Sequence, residues 1–201
     1  MFTGIIREKG RVVRLGEIEG GITLEIEAPL TAQDAGLGDS ISNDGCCLTV
    51  TEQNGDNLVF ELSRETLDRT IALHYKEGSA INLEASLALK DKLGGHLVTG
   101  HVDAVAEVVG IKADGEFSIM TVRLEDVPPG LVAEKGSISV NGVSLTVAAW
   151  RSADGGGEFD VALIPETLTR TNMGEFEPGV RVNIEYDLIA RYVTEAMRGR
   201  Q

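Results

Sequence analysis

Ser40-Ile41-Ser42-Asn43-Asp44-Gly45-Cys46-Cys47-Leu48-Thr49-Val50 is written a second time, with changes, as Ser137-Ile138-Ser139-Val140-Asn141-Gly142-Val143-Ser144-Leu145-Thr146-Val147. The offset from Ser40 to Ser137 is 97 positions, close to the length of one small domain. The agreement continues outward. Glu65-Thr66-Leu67-Asp68-Arg69-Thr70 matches Glu166-Thr167-Leu168-Thr169-Arg170-Thr171, and Gly78-Ser79-Ala80-Ile81-Asn82-Leu83-Glu84 matches Gly179-Val180-Arg181-Val182-Asn183-Ile184-Glu185. The openings Thr3-Gly4-Ile5 and Thr99-Gly100-His101 correspond as well. Because the blocks keep their order, this is a tandem duplication rather than the chance likeness of short β-sequences.

Within each copy, apolar runs such as Arg11 to Leu15, Ile22 to Glu27, Leu48 to Thr51, Leu58 to Leu62 and Ala80 to Glu84 alternate with Gly, Asn and Asp turns. Asn54-Gly55, Asp114-Gly115 and Asp154-Gly155 sit where a tight reversal needs positive φ. About six strands per copy predict an all-β chain, a tandem duplication of a six-stranded antiparallel barrel of Greek-key type. Short helical turns are expected at 63–70 and 165–171, the second opened by Pro165. The expected division is residues 1–92, residues 93–186 and a C-terminal α-helix in 187–201, with the boundary near 86–96. Ile189, Tyr192, Val193, Ala196 and Met197 recur at helical spacing there. A closed barrel already has its own core, so this stripe is expected to dock on another chain.

The formal net charge of −14 argues against a nucleic-acid partner, which needs a clustered basic surface, and disfavours acidic membranes. The opening MFTGIIREKG meets charge after six residues, which is unlike a signal peptide or a membrane span, and a cytoplasmic protein is expected. Cys46 and Cys47 are adjacent and would point to opposite faces of a strand, so neither a disulfide nor a shared metal is expected. No phosphate loop, dinucleotide turn, nucleophile elbow or HExxH pattern occurs.

Comparing the copies singles out the candidates for chemistry. His101 stands where the first copy has Ile5, on what reads as the opening strand of the second copy, and a polar residue at an apolar repeat position is the kind of local inconsistency that functional sites produce. A lone histidine is nonetheless more often structural. His96, five residues earlier, would face the opposite side, and His74 stands alone. Cys47 aligns with Ser144. A buried cysteine is by default an inert small hydrophobe, yet two nucleophile-capable atoms at equivalent places suggest paired pockets for a planar heterocycle. Thr49 and Thr146 share their faces, although threonine in a strand also reflects plain β-propensity. The helical turns bearing Thr66 and Thr167 offer unpaired N–H groups, while Glu65 and Glu166 suit the helix dipole.

MFTGII, SISNDGCCLTV, GGHLVTGHVD, NGVSLTV and LIPETLTRT, taken in order, closely resemble riboflavin synthases of the alpha type, built from two lumazine-binding barrels. The resemblance covers essentially the whole chain. It implies dismutation of two 6,7-dimethyl-8-ribityllumazine molecules by four-carbon transfer, giving riboflavin and 5-amino-6-(ribitylamino)uracil. It implies no metal and no redox cofactor. It also implies a homotrimer held by C-terminal helices, with each site between the N-terminal barrel of one subunit and the C-terminal barrel of its neighbour, and it raises an association with lumazine synthase.

Carried over by motif, the resemblance implies that Ser40, Cys47, Thr49, Thr66 and His101 line an N-terminal pocket, with Gly4, Ile5 and Ile6 at the barrel mouth. Lys135, Ser144, Thr146, Ile164, Thr167 and Asp187 belong to the C-terminal side. Leu48, Leu62, Ser63, Arg64, Glu65, Val102 and Asp103 complete the first substrate-binding set, and Leu145, Leu163, Pro165 and Glu166 the second. His101 would assist proton transfer, Cys47 and Ser40 would contact or activate the acceptor, and Ser144 and Thr146 would orient the donor. Asn141 stands where some relatives carry an acid, which argues against a carboxylate role there. Phe2 is expected near the site. Two rival readings are a non-catalytic lumazine or flavin carrier on the same double barrel, and a flavin reductase barrel, for which 201 residues leave no nucleotide domain.

Overall fold

The structure, a computed structural model, describes residues 1–198. The first copy contains β1 (Glu8–Ile18), β2 (Gly21–Glu27), a short α1 (Thr31–Asp34), β3 (Ser40–Asn43), β4 (Cys46–Asn54), β5 (Asn57–Ser63), α2 (Arg64–Arg69) and β6 (Ala80–Ala85). The second contains β7 (Ala104–Asp114), β8 (Phe117–Glu125), β9 (Ser137–Val140), β10 (Val143–Ala153), β11 (Gly156–Leu163), α3 (Pro165–Arg170) and β12 (Arg181–Tyr186), followed by α4 (Leu188–Arg198). Each set of strands closes into an antiparallel barrel, in the order β1-β2-β5-β4-β3-β6 and, equivalently, β7-β8-β11-β10-β9-β12. The duplication and the barrel expectation therefore hold. Gly199, Arg200 and Gln201, the end of the expected helical segment, lie outside the described residues.

Alternation explains the barrels. Along β4, Cys46, Leu48 and Val50 are buried while Thr49 is exposed, and β10 repeats this with Val143, Leu145 and Val147 against Thr146. The inward residues form two separate apolar cores, so both barrel interiors are filled. Register shifts at Val12/Arg14 and Val50/Glu52 recur at Val108/Gly110 and Val147/Ala149, bending equivalent strands at equivalent places. The β3–β4 and β9–β10 hairpins turn on Asp44-Gly45 (φ 46° and 80°) and Asn141-Gly142 (φ 43° and 78°), as two-residue turns of mirror-image type require.

These two turns meet each other. A Cβ on Gly45 would lie 2.7 Å from Gly142 N, and one on Gly142 would lie 2.8 Å from Gly45 N, so only glycine fits at this junction. Around it the barrels exchange hydrogen bonds in matched pairs. Asn82 Nδ2 donates to Asn141 O at 3.0 Å, and Asn183 Nδ2 donates to Asp44 O at 2.8 Å. Ile71 N donates to Asn183 Oδ1 and Asn172 N to Asn82 Oδ1, both at 2.8 Å. The interface is a pseudo-dyad broken by charge at the Lys9–Glu175 ion pair (2.8 Å) and at Asp44, whose carboxylate accepts from Asn82 N, Asn172 Nδ2 and Tyr75 Oη, each at 2.9 Å.

Two expectations change. The stretch between the barrels runs over 86–103, longer than 86–96, because the opening of the second copy is not strand. Gly100 has φ +83°, and β7 begins only at Ala104, so His101 sits on an irregular segment ahead of the strand. Nor do the cores follow a cut at 92/93. Ile6 is buried in the core of the second barrel, and Val102 packs against the core of the first. Helix α4 buries none of its residues, leaving Ile189, Tyr192, Val193 and Met197 more than half exposed. Among the described residues no helix is long and apolar enough to cross a membrane.

Candidate functional site

The barrels are closed, but each ladder splits on one side. Pairing between β10 and β11 ends at Val147↔Val161, although β10 reaches back to Val143 and β11 runs on to Leu163. Between the parted strands lies a cavity of about 390 Å³ bounded by Lys135, Ser144, Leu145, Thr146, Ala148, Ala162, Ile164 and Thr167. The first barrel splits at the equivalent place. There the β4–β5 ladder ends at Val50↔Phe60, while β4 begins at Cys46 and β5 continues to Ser63. Both splits lie on the outer face of their barrel, since the interiors are filled. Larger hollows lie along the groove between the barrels, where the equivalent turn residues Asp44 and Asn141 meet at the pseudo-dyad, and beside the Arg151–Glu158 hairpin.

At the first split, Cys47 and Thr49 share the outward face, and Ser40 sits beside Thr49 across the β3–β4 ladder. Ser63 caps α2, its Oγ accepting from Thr66 N at 3.2 Å. Arg64 and Glu65 point to solvent in i,i+4 ion pairs with Asp68 and Arg69, both at 3.1 Å, and Glu166 pairs likewise with Arg170. The side chains of Leu48, Leu62 and Leu163 are buried in the barrel cores because strand alternation turns them inward.

The openings of the two copies cross over. Thr99 N, Thr99 Oγ1 and Gly100 N all donate to the Glu185 carboxylate at 2.6–2.9 Å, and Gly100 O then accepts from Cys47 N at 2.9 Å in the other barrel. Symmetrically, Thr3 N, Thr3 Oγ1 and Gly4 N donate to Glu84, and Gly4 O accepts from Ser144 N at 2.7 Å. Gly4 (φ +74°) and Gly100 allow this approach, since a Cβ on either would sit 2.5 Å from the Cβ of Ser144 or Cys47. Exposed His101 thus follows directly after the residue bonded to Cys47. Gly4, Ile5 and Ile6 are a correction. They belong with Ser144 on the second barrel, not at the mouth of the first, because Thr3–Gly4 crosses before β1 begins. Phe2 is fully buried at the crossing, bridged to Val98.

Asp103 ties the irregular opening of the second copy to the end of β12 and to α4. Its Oδ2 accepts from Tyr186 N at 2.8 Å and from the Arg191 guanidinium at 2.7 Å. Asp187 caps the start of α4, accepting from Ile189 N. Its charge also favours the protonated form of a nearby ring, that of His96, although burial dominates and pushes the His96 pKa down. His96, which the spacing to His101 set aside, is placed against the second cavity. Its Nδ1 lies 2.7 Å from Ser144 Oγ, and its backbone N donates to Thr3 O. Ala148 and Ala162 on the cavity wall were silent, since small residues in strands carry no signal. Among the described residues no group of three or more His, Cys, Asp or Glu is placed to hold a metal, and Cys46 and Cys47 are free thiols. Burial, Cys47 and Asp44 push Cys46 up to about 12, so it is the inert member of the pair.

Residues 3–86 and 99–187 each match the lumazine binding domain family. Riboflavin synthase of Mycobacterium tuberculosis is 40% identical over 199 residues, covering 98% of each chain. That of Brucella abortus is 41% identical over 197 residues, covering 96% of each. The crystal structure of LumP complexed with 6,7-dimethyl-8-(1'-D-ribityl) lumazine matches with a TM-score of 0.80 at 24% identity, over 92% of this chain and 98% of that one.

Proposed function

The chain belongs to the riboflavin synthase family of tandem lumazine-binding domains, and on that premise we propose how its two barrels share the work. Its reaction is the dismutation of two 6,7-dimethyl-8-ribityllumazine molecules. A four-carbon unit passes from one to the other, leaving riboflavin and 5-amino-6-(ribitylamino)uracil, and the atoms balance without oxidant or reductant. The observation that carries the reading is the pair of repeat-equivalent splits, each with a nucleophile-capable side chain, Cys47 or Ser144, and a short helix at its rim. Two like substrates find two like docking faces. Holding them face to face in good orientation supplies roughly 7–11 kcal/mol of a bimolecular barrier.

In this reading the first lumazine lies against Cys47, Thr49 and Thr66, with Ser40 beside them and His101 able to accept or return a proton. The second occupies the cavity bounded by Lys135, Ser144, Thr146, Ile164 and Thr167. The copies differ where the chemistry must differ, with His101 against Ile5, Cys47 against Ser144, and Lys135 against Gly38. The uncovered apolar stripe of α4 supports a homotrimer built through these helices, in which the N-terminal face of one subunit meets the C-terminal face of the next. The acidic composition, with a net charge of −14, suits a cytoplasmic enzyme. Association with lumazine synthase is read by co-elution of the two proteins.

The test is to mix purified protein with 6,7-dimethyl-8-ribityllumazine alone and follow riboflavin fluorescence, then to count ligands per chain. Riboflavin and two ligands per chain are expected. One ligand per chain with no isoalloxazine formed would sink the reading and leave a carrier.

A further inference from the structure

Ser144 lines the C-terminal cavity, whereas His96 does not; it sits behind Ser144 with Nδ1 2.7 Å from the hydroxyl oxygen. We propose that His96 is a positioning residue that turns Ser144 into a hydrogen-bond donor aimed at the heterocycle in that cavity. The proposal rests on the functional reading above for the identity of the ligand, but not for the state of the histidine.

A serine hydroxyl has one proton. If the imidazole accepts it, the cavity faces only lone pairs; if the imidazole donates, the serine proton is free to point into the cavity. The choice is set on the far side of the ring. His96 Nε2 is enclosed and has no hydrogen-bond partner. A buried N–H with no acceptor loses its hydration without return, and such orphaned donors are rarer in folded proteins than under-satisfied acceptors. The favoured tautomer therefore carries its hydrogen on Nδ1 and leaves Nε2 bare. Burial disfavours the imidazolium, which would place a second hydrogen on Nε2, and outweighs the opposing pull of Asp187. His96 then donates to Ser144 Oγ, and Ser144 presents its own proton outward.

The backbone holds this arrangement. A Cβ on Gly95 would lie 2.2 Å from Thr3 O and 2.7 Å from Ser144 Oγ, so only glycine lets the chain pass between them and deliver His96. His96 N donates to Thr3 O at 3.1 Å, and Ser144 N donates to Gly4 O, fixing both main chains. A lumazine ring offers carbonyl and ring-nitrogen acceptors to such a donor. When its C7 methyl loses a proton, the negative charge spreads onto those same atoms, so a fixed donor there stabilises the anion more than the neutral ring.

The first test needs no substrate. With ¹⁵N-labelled histidine in the full-length protein, His96 should show a protonated Nδ1 and an unprotonated Nε2; a protonated Nε2 overturns the proposal. If that spectrum is as expected and no riboflavin forms, the functional reading fails and this one stands. Kinetics supply the second test. His96→Asn puts an amide N–H where Nδ1 was and should keep kcat within roughly threefold, while His96→Ala should lose roughly tenfold, about 1.4 kcal/mol. Because His96 acts through Ser144, adding His96→Ala to Ser144→Ala should slow turnover no further. A full extra loss in the double variant, or no rescue by asparagine, refutes the role.

Discussion

Replacing Asp44 by asparagine should remove a pH dependence of stability that the native protein carries at the junction of its barrels. Asp44 is 1% exposed, and burial pushes its carboxyl from 3.8 up to about 7, against hydrogen bonds from Asn82, Tyr75 and Asn172 that favour the charge. At low pH the carboxyl is protonated in both folded and unfolded chains and has no effect. As pH rises past 3.8 the unfolded chain ionises first and binds fewer protons, so stability falls. The loss is complete above a pH of about 7 and amounts to roughly 4 kcal/mol, with ~3 kcal/mol of it beyond about pH 5. The fold contains its own control. Asn141 holds the equivalent turn, its Oδ1 accepting from Asn183 N at 2.7 Å, so asparagine is compatible with this geometry. Urea unfolding of both proteins at about pH 5 and about pH 8 measures the difference. The native chain should lose ~3 kcal/mol more than Asp44→Asn across that interval. Parallel behaviour of the two would mean that Asp44 ionises without hindrance, and the account of the interface would be wrong.

Gly100→Ala combines a positive φ with a clash on Cys47, and should lower both stability, by about 1–3 kcal/mol, and turnover; unchanged thermal unfolding would refute the crossing. Glu185→Gln sets an amide against the Gly100 N–H, so one donor loses its acceptor at a cost of about 1–3 kcal/mol, readable in the same way. Tyr192→Glu, on the bare face of α4, should yield monomers in sedimentation and abolish riboflavin formation, whereas a fully active monomer would show that each site is complete within one chain. Cys47→Ala and His101→Ala should each reduce turnover at saturating substrate by at least ~10-fold. Wild-type turnover removes that residue from the mechanism.

Much of this architecture was readable because it is periodic. The copies share their blocks, alternation places Val50 and Val147 inward, and paired turn residues mark the hairpins. The grouping of Gly4 to Ile6 was not readable, because a repeat predicts which residues correspond and says nothing of which barrel a non-strand opening touches. His101 stands out where the copies disagree, whereas the partners of His96, Thr3 and Ser144, are distant in sequence and leave no local sign. The core positions of Leu48, Leu62 and Leu163 follow from alternation along their strands.

The crossed openings bear on how such a chain can change. Two free copies of one barrel would have to find each other in solution, and each would meet an identical twin. Joined by 86–103, the encounter becomes intramolecular, at an effective concentration of order millimolar. Once the companion is always present, neither half must suit itself. An acid can face an amide across the axis, and a thiol can stand opposite a hydroxyl, differences that a self-paired ancestor could not keep.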